Sequence, residues 1–119
     1  MADNRKNPDG MTIKTEVQGQ ATVVTPVGDV DLTASPVLRQ ELKRIQGGKP
    51  PKLVVDLSQV PYMDSSGVAT LVEAMQISRK NSTKLVLCGM QAKVRSIFEI
   101  ARLDTVFTIV PDAAAALAG

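Results

Sequence analysis

The sequence predicts an α/β fold: a single domain with a mixed, mostly parallel sheet of about four to five strands and packed helices. Short apolar runs alternate with amphipathic helical patterns in the order β-β-α-β-α-β-α-β-α, which is typical of layered α/β domains. The runs 53–57 and 83–89 are nearly all apolar, as strands covered on both faces are. The first two strands are joined by a short turn at Gly19–Gln20, so they should form a hairpin and make the sheet mixed.

The N-terminal part divides into a tail and a hairpin. Residues 1–10 (MADNRKNPDG) are polar and rich in turn formers, so we expect a flexible tail followed by one domain over 11–119. Alternation over Met11–Val17 predicts a half-buried strand, and Ala21–Val27 follows as the second strand after a turn at Gly19–Gln20. Pro26 should lie at a strand end or bulge because it has no N–H to donate.

Four helical segments follow. Ser35 is expected to cap the first helix, with Pro36 in its first turn, and the run 47–51 (GGKPP) ends it. The second helix is expected over Ser65–Lys80 and the third over Gln91–Arg102. A last short strand at 106–110 then precedes an Ala-rich terminal helix.

Composition excludes several classes of function. The chain has 119 residues, a formal net charge of +2, no histidine and one cysteine. The lack of a basic block and the scarcity of aromatic residues argue against nucleic-acid binding. Without histidine, neither a Ser-His-Asp nor a Cys-His triad can form, and no Cys/His cluster exists for zinc. Cys88 is interpreted as a buried core thiol, and no metal or cofactor is predicted.

The N-terminus and the apolar runs indicate where the protein resides. The polar N-terminus lacks the apolar stretch of a signal peptide. No apolar run approaches the roughly 20 residues that span a membrane. We therefore expect a cytoplasmic protein without membrane insertion.

The segment Asp64-Ser65-Ser66-Gly67 is the candidate functional motif. It follows the apolar run 53–57 and opens the second helix, which puts two hydroxyls at the edge of the sheet where ligands and partners dock in open α/β folds. Asp64 is expected to be the N-cap of the helix. Gly67 is expected to leave room for close approach to the helix start. An ordinary polar cap and turn is the alternative interpretation of these four residues.

A helical wheel separates the two serines. At 100° per residue, one apolar stripe forms from Val68, Leu71, Val72 and Met75. Ser66 lies opposite this stripe, on the same side as Thr70, Glu73 and Ile77, whereas Ser65 flanks the stripe. We therefore expect Ser66 to face solvent or a partner and Ser65 to be partly buried.

The chemistry open to Ser66 is that of an acceptor. A nucleophilic serine needs an adjacent base, and neither a Ser-x-x-Lys nor a Gly-x-Ser-x-Gly arrangement surrounds it. The chain also lacks a Gly-rich phosphate loop, so it is not expected to be an enzyme. An exposed hydroxyl can still accept a phosphoryl group from another protein. The phosphoryl group adds a charge of about −1.5 to −2. A docked partner would face its bulk, the desolvation of a dianion and repulsion from any acidic group of its own, and Asp64, with Asp31 if it lies nearby, would add like charge.

The run 53–67 (LVVDLSQVPYMDSSG) resembles the central motif of the STAS domain and, more narrowly, that of bacterial anti-sigma factor antagonists. The segments 28–31 (GDVD), 85–89 (LVLCG) and 94–98 (VRSIF) are similar to the flanking parts of that family. The resemblance extends from about Met11 to Leu117.

This resemblance implies a partner-switching regulator of transcription and signal transduction. The unphosphorylated protein would bind an ATP-dependent serine-kinase anti-sigma factor, phosphorylation at Ser66 would release it, and a PP2C-type phosphatase would restore it. The expected partner-binding residues are Asp31, Asp64, Ser65, Ser66, Gly67, Thr70, Glu73 and Ile77. The alternative is a STAS regulatory or structural subunit unrelated to sigma factors, in a signalling scaffold, in secretion or motility control, or in a lipid-transport complex.

Overall fold

The computed structural model describes residues 3–6, by their backbone, and 10–119. Its strands are β1 Asp3–Lys6, β2 Thr12–Gln18, β3 Ala21–Val27, β4 Lys52–Asp56, β5 Lys84–Cys88 and β6 Thr108–Val110. Its helices are α1 Ser35–Gly47, α2 Ser65–Asn81, α3 Ala92–Ile100 and α4 Ala113–Ala118.

All six strands form one sheet in sequence order. β1, β2 and β3 pair antiparallel, and β3, β4, β5 and β6 pair parallel. The parallel strands are connected by α1, α2 and α3 in turn, so their carboxyl ends share one edge of the sheet. The predicted α/β class, mixed sheet and hairpin are confirmed, and β3 has the predicted bounds.

Within the described residues the structure has six strands, one more than the larger number predicted. The additional strand, β1, pairs with Thr12–Thr15 of β2 in the register Asp3↔Thr15 to Lys6↔Thr12. The sequence Asp-Asn-Arg-Lys has no apolar alternation, so the pattern that predicts a half-buried strand is missing there. The flexibility expected of residues 1–10 stays a prediction, since residues 1–2 and 7–9 lie outside the described residues.

The core lies on both faces of the sheet, as the apolar runs predict. On β4, Leu53 and Val55 face the larger cluster, to which α1, α2 and α3 contribute buried side chains. Val54 points to the opposite face, because successive side chains of a strand alternate. There it packs in a smaller cluster with Cys88 of β5 and Ala116 of α4.

The start of α1 differs from the prediction. The N-cap residue is Ala34, whose side chain makes no capping bond, and Ser35 is the first residue inside the helix. Asp31 makes the capping bonds that were expected of Ser35. Its Oδ1 accepts the amides of Thr33 (3.1 Å) and Ala34 (2.9 Å), and its carbonyl accepts the amide of Ser35 (2.8 Å). Because the Asp31 side chain already orders this turn, Ser35 lies inside the helix as its first residue and is buried.

Candidate functional site

Two segments run side by side beyond the carboxyl ends of β3 and β4. The Gly28 amide donates to the Gln59 carbonyl (2.9 Å), and the Val30 amide donates to the Tyr62 carbonyl (2.9 Å). Val30 and Met63 form an isolated parallel bridge, and both are completely buried. These contacts hold the segment before α1 against the segment before α2. Asp31 and Asp64 directly follow the two bridged residues, Val30 and Met63.

Asp64 is the N-cap of α2, as predicted. Its backbone is extended, and its Oδ1 accepts the amides of Ser66 (2.9 Å) and Gly67 (3.3 Å). The same oxygen accepts a hydrogen bond from the Ser66 hydroxyl at 2.5 Å. The spacing of Asp64 and Ser66, two residues apart, allows this hydrogen bond, but the sequence analysis did not predict it.

The electrostatics of the motif centre on the Asp64 carboxylate. The hydrogen bond from the Ser66 hydroxyl is the largest cause that lowers the pKa of Asp64 below its ordinary value. The amides of Gly67, Ser66 and Leu32 lower it further, whereas burial works in the opposite direction. The carboxylate is therefore held ionised. The Asp64 amide donates to the Val30 carbonyl (3.3 Å), so the two segments meet at Asp64.

The two serines have the reverse of their predicted exposure. Ser65 is exposed, whereas Ser66 is half-buried. On the wheel, the buried residues of α2 centre about 90° away from the predicted apolar stripe; they are Gly67, Thr70, Leu71, Ala74 and Ser78.

The buried face of α2 differs from the predicted one because α2 packs against α1. Gln46 of α1 donates through Nε2 to the Ala74 carbonyl (2.8 Å) and to Ser78 Oγ (3.0 Å). Small and polar residues of α2 are therefore buried with their hydrogen bonds satisfied. A wheel that follows only apolar residues cannot find such a face.

Gly67 has a different role from the one predicted. A Cβ at this position would lie 2.6 Å from Met63 Cγ and 2.8 Å from the Val30 carbonyl oxygen. Gly67 is itself buried. It therefore lets the first turn of α2 pack against the two segments, and it does not clear space for a partner.

Three other predicted partner-binding residues lie along α2. Thr70 is 7% exposed, and its hydroxyl donates to the Ser66 carbonyl (2.9 Å), so it supports the turn and offers no surface. Glu73 and Ile77 are half-buried, and by the helix rise they lie roughly 10 Å and 16 Å from Ser66. Glu73 pairs with Arg39 of α1 at 2.7 Å, and this hydrogen bond lowers the pKa of Glu73.

Two apolar side chains next to the motif escaped the sequence interpretation. Leu32 is 74% exposed and Tyr62 is 50% exposed. Both belong to irregular segments, where no periodicity indicates which residues point outward. Only their proximity in sequence to Asp31 and Asp64 could have marked them.

Other chemistries find little support in the described part of the chain. Across residues 10–119, no group of three or more metal-ligating side chains is arranged to hold an ion. Cys88 is buried, as predicted. Burial, with smaller contributions from Asp56 and Asp112, raises the pKa of its thiol to about 12. None of the described helices combines the length and apolarity needed to cross a membrane.

Comparison with known proteins identifies the family. The family model of the STAS domain matches residues 12–116. The chain belongs to the STAS domain family. An anti-sigma-B factor antagonist of Listeria monocytogenes is 32% identical over 82 residues, covering 69% of this chain and 72% of the relative. One from Staphylococcus aureus is 27% identical over 93 residues, covering 78% and 86%.

A solved structure supports the same assignment. The crystal structure of an anti-sigma factor antagonist from Mycobacterium paratuberculosis superposes with a TM-score of 0.86 at 26% identity, covering 96% of this chain and 97% of the other. The STAS fold is thus shared over nearly the whole chain, and the Asp64–Gly67 motif lies at the carboxyl edge of its sheet.

Proposed function

We propose that this STAS domain is an anti-sigma factor antagonist that is switched by phosphorylation of Ser66. In its unphosphorylated form it binds a serine-kinase anti-sigma factor, and phosphorylation releases it. The observation that carries the proposal is the Ser66 hydroxyl at the start of α2, held by the Asp64 carboxylate at 2.5 Å on the sheet edge where partners dock. The relatives named anti-sigma-B factor antagonists support it.

The phosphoryl transfer requires only an acceptor from this chain. Ser66 Oγ attacks the γ-phosphorus of the ATP bound by the kinase, the Oγ–P bond forms, the bond to the β-phosphate oxygen breaks, and ADP leaves. The hydroxyl proton passes to a base, and Asp64 Oδ1 already accepts its hydrogen bond. The ATP and its metal ion belong to the kinase, so this protein is a substrate and regulator, and it is not an enzyme.

The phosphate would act on the partner more than on the fold. A charge of about −2 roughly 4 Å from the Asp64 carboxylate costs about 2 kcal/mol even at the dielectric constant of water. The start of α2 offsets about 0.3–1 kcal/mol of this. The phosphate should therefore turn outward from Asp64, into the space that a docked partner occupies. A PP2C-type phosphatase restores the hydroxyl and the bound state.

Intact-mass measurement with the kinase and ATP tests the proposal. Wild type and Ser65→Ala should each gain one phosphoryl group, whereas Ser66→Ala should gain none. Ser65→Ala is the matched control, because the neighbouring hydroxyl is the more exposed of the two. Phosphorylation of Ser65 instead, or an unmodified wild type beside an active kinase, would contradict the proposal.

The binding side of the proposal has its own variants. Ser66→Asp should lose the anti-sigma factor, and Ser66→Ala should bind it whether or not ATP is present. Partner binding that is indifferent to Ser66→Asp would instead favour a STAS subunit that is never switched.

A further inference from the structure

The described residues include five large apolar side chains that are exposed, and two of them flank the Ser66 motif. These two are Leu32 (74% exposed) and Tyr62 (50% exposed). Single exposed apolar residues are common on protein surfaces and need no explanation. Leu32 and Tyr62 differ because the two segments that carry them are fixed to one another.

The backbone holds the two side chains in place. Tyr62 accepts the Val30 amide through its carbonyl (2.9 Å), next to the bridge between Val30 and Met63. Leu32 follows Val30 by two residues, and the Val30 carbonyl accepts the Asp64 amide (3.3 Å), which holds this segment against the start of α2. Both side chains are therefore presented by an ordered backbone, and a partner would not have to order it on binding.

The two segments that carry these side chains bear charge of one sign. No lysine or arginine occurs in residues 28–38 or 53–72, whereas Asp29, Asp31, Asp56 and Asp64 all fall there. Glu73 does not count toward this charge, because Arg39 pairs with it at 2.7 Å. Asp29 is exposed, and Asp31 and Asp64 are half-buried. An acidic rim around apolar anchors is complementary to an apolar pocket bordered by cationic side chains.

We propose that Leu32 and Tyr62 are the apolar anchors by which this protein docks on its partner, and that the partner presents an apolar pocket bordered by arginine or lysine. This inference rests on the proposed function, since the partner is the same serine-kinase anti-sigma factor. Leu32, Tyr62 and Ser65 with the acidic rim form the docking surface, and Ser66 lies beside it. A phosphate on Ser66 would disrupt docking through its bulk and through the desolvation of its charge, since the cationic rim by itself would attract that charge.

Affinity measurements on single variants test the inference. The probes are the serine-kinase anti-sigma factors encoded in the source genome, each purified with bound ADP. Leu32→Ala and Tyr62→Ala should each weaken binding by about tenfold or more, as buried interface anchors do. Ile100→Ala is the matched control and should stay within about twofold, because Ile100 is 85% exposed but lies at the far end of α3, roughly 12 Å from its start.

Two further readouts separate docking from folding and test the charge. Thermal unfolding of Leu32→Ala and Tyr62→Ala should stay close to that of wild type, since the two side chains are 74% and 50% exposed. Asp29→Asn should slow association and weaken its dependence on salt, as the loss of a rim charge does. Association that is insensitive to salt in the wild type would contradict the cationic pocket.

The outcomes distinguish the two levels of the proposal. If wild type binds an anti-sigma factor and both alanine variants bind within about twofold of it, the docking surface is wrong and the proposed function stands. If wild type binds none of the anti-sigma factors, both proposals fall. If Leu32→Ala instead abolishes self-association of this chain, the surface belongs to a second copy and the inference is overturned.

Discussion

Replacing Gly67 by alanine should destabilise the protein. An added Cβ would lie 2.6 Å from Met63 Cγ, 2.8 Å from the Val30 carbonyl oxygen and 2.9 Å from Val30 Cγ1. The carbonyl cannot move away freely, because it accepts the amide of Asp64. Val30 and Met63 are also completely buried, so neither side chain can turn toward solvent.

The size of the effect follows from two opposing contributions. Overpacking a buried site costs about 1–3 kcal/mol, and alanine is about 1 kcal/mol better than glycine inside a helix. Because one of the close contacts is to backbone, the upper part of the overpacking range applies. The free energy of unfolding should therefore fall by about 1–2 kcal/mol, and Tm by about 4–8 °C for a chain of this size.

Urea unfolding followed by circular dichroism measures this change. Gly47→Ala is the matched control: Gly47 is the last residue of α1, and a Cβ there would meet nothing within 4 Å. That variant should be as stable as wild type or more so. If Gly67→Ala is as stable as Gly47→Ala, the packing role assigned to Gly67 is wrong, and the sequence-based view that it leaves room for a partner regains support.

Two further predictions follow from the pKa values. Asp64→Ala should lower the free energy of unfolding by about 1 kcal/mol at pH 7 through loss of the helix cap. The pKa of Asp64 is lowered in the folded state. Its contribution to stability is therefore present above the unfolded-state pKa and is lost as pH falls through the folded-state value. The urea midpoints of wild type and variant should converge as the pH is lowered, and a constant gap between them would contradict this. Cys88, whose thiol pKa is raised to about 12, should react with a thiol reagent at pH 8 only after urea unfolds the protein, and rapid labelling of the native state would refute its burial.

Local signals predicted much of the fold. The turn at Gly19–Gln20 and the β-branched run after it fixed the bounds of β3, which the structure reproduces as Ala21–Val27. The N-cap at Asp64 depends on a side chain and the amides two and three residues later, so four residues of sequence contain all the information it needs.

Predictions that depend on distant residues fared worse. The buried face of α2 includes Ser78, whose hydroxyl accepts a hydrogen bond from Gln46 on another helix. The sequence pattern of α2 alone does not predict that bond. Ser35 has the composition of a cap, but Asp31 orders the preceding turn instead. Strand β1 depends on backbone pairing with β2 and has no apolar signature of its own.

The consequence for the candidate site is a change of reasoning about Ser66. The wheel singled it out as an exposed hydroxyl, whereas the structure has it half-buried and bonded to Asp64. Its candidacy therefore rests on its position at the start of α2 and on its engagement with a carboxylate. The more exposed Ser65 becomes the necessary control in each experiment.

The central claim is that a phosphate on Ser66 decides whether the anti-sigma factor is bound. The most direct measurement is the Kd of that partner for the chain made with phosphoserine at position 66, beside the Kd for the unmodified chain. Loss of about 3–4 kcal/mol of binding free energy corresponds to an increase in Kd of two to three decades, which is the result we predict. Equal Kd values for the two forms would contradict the claim.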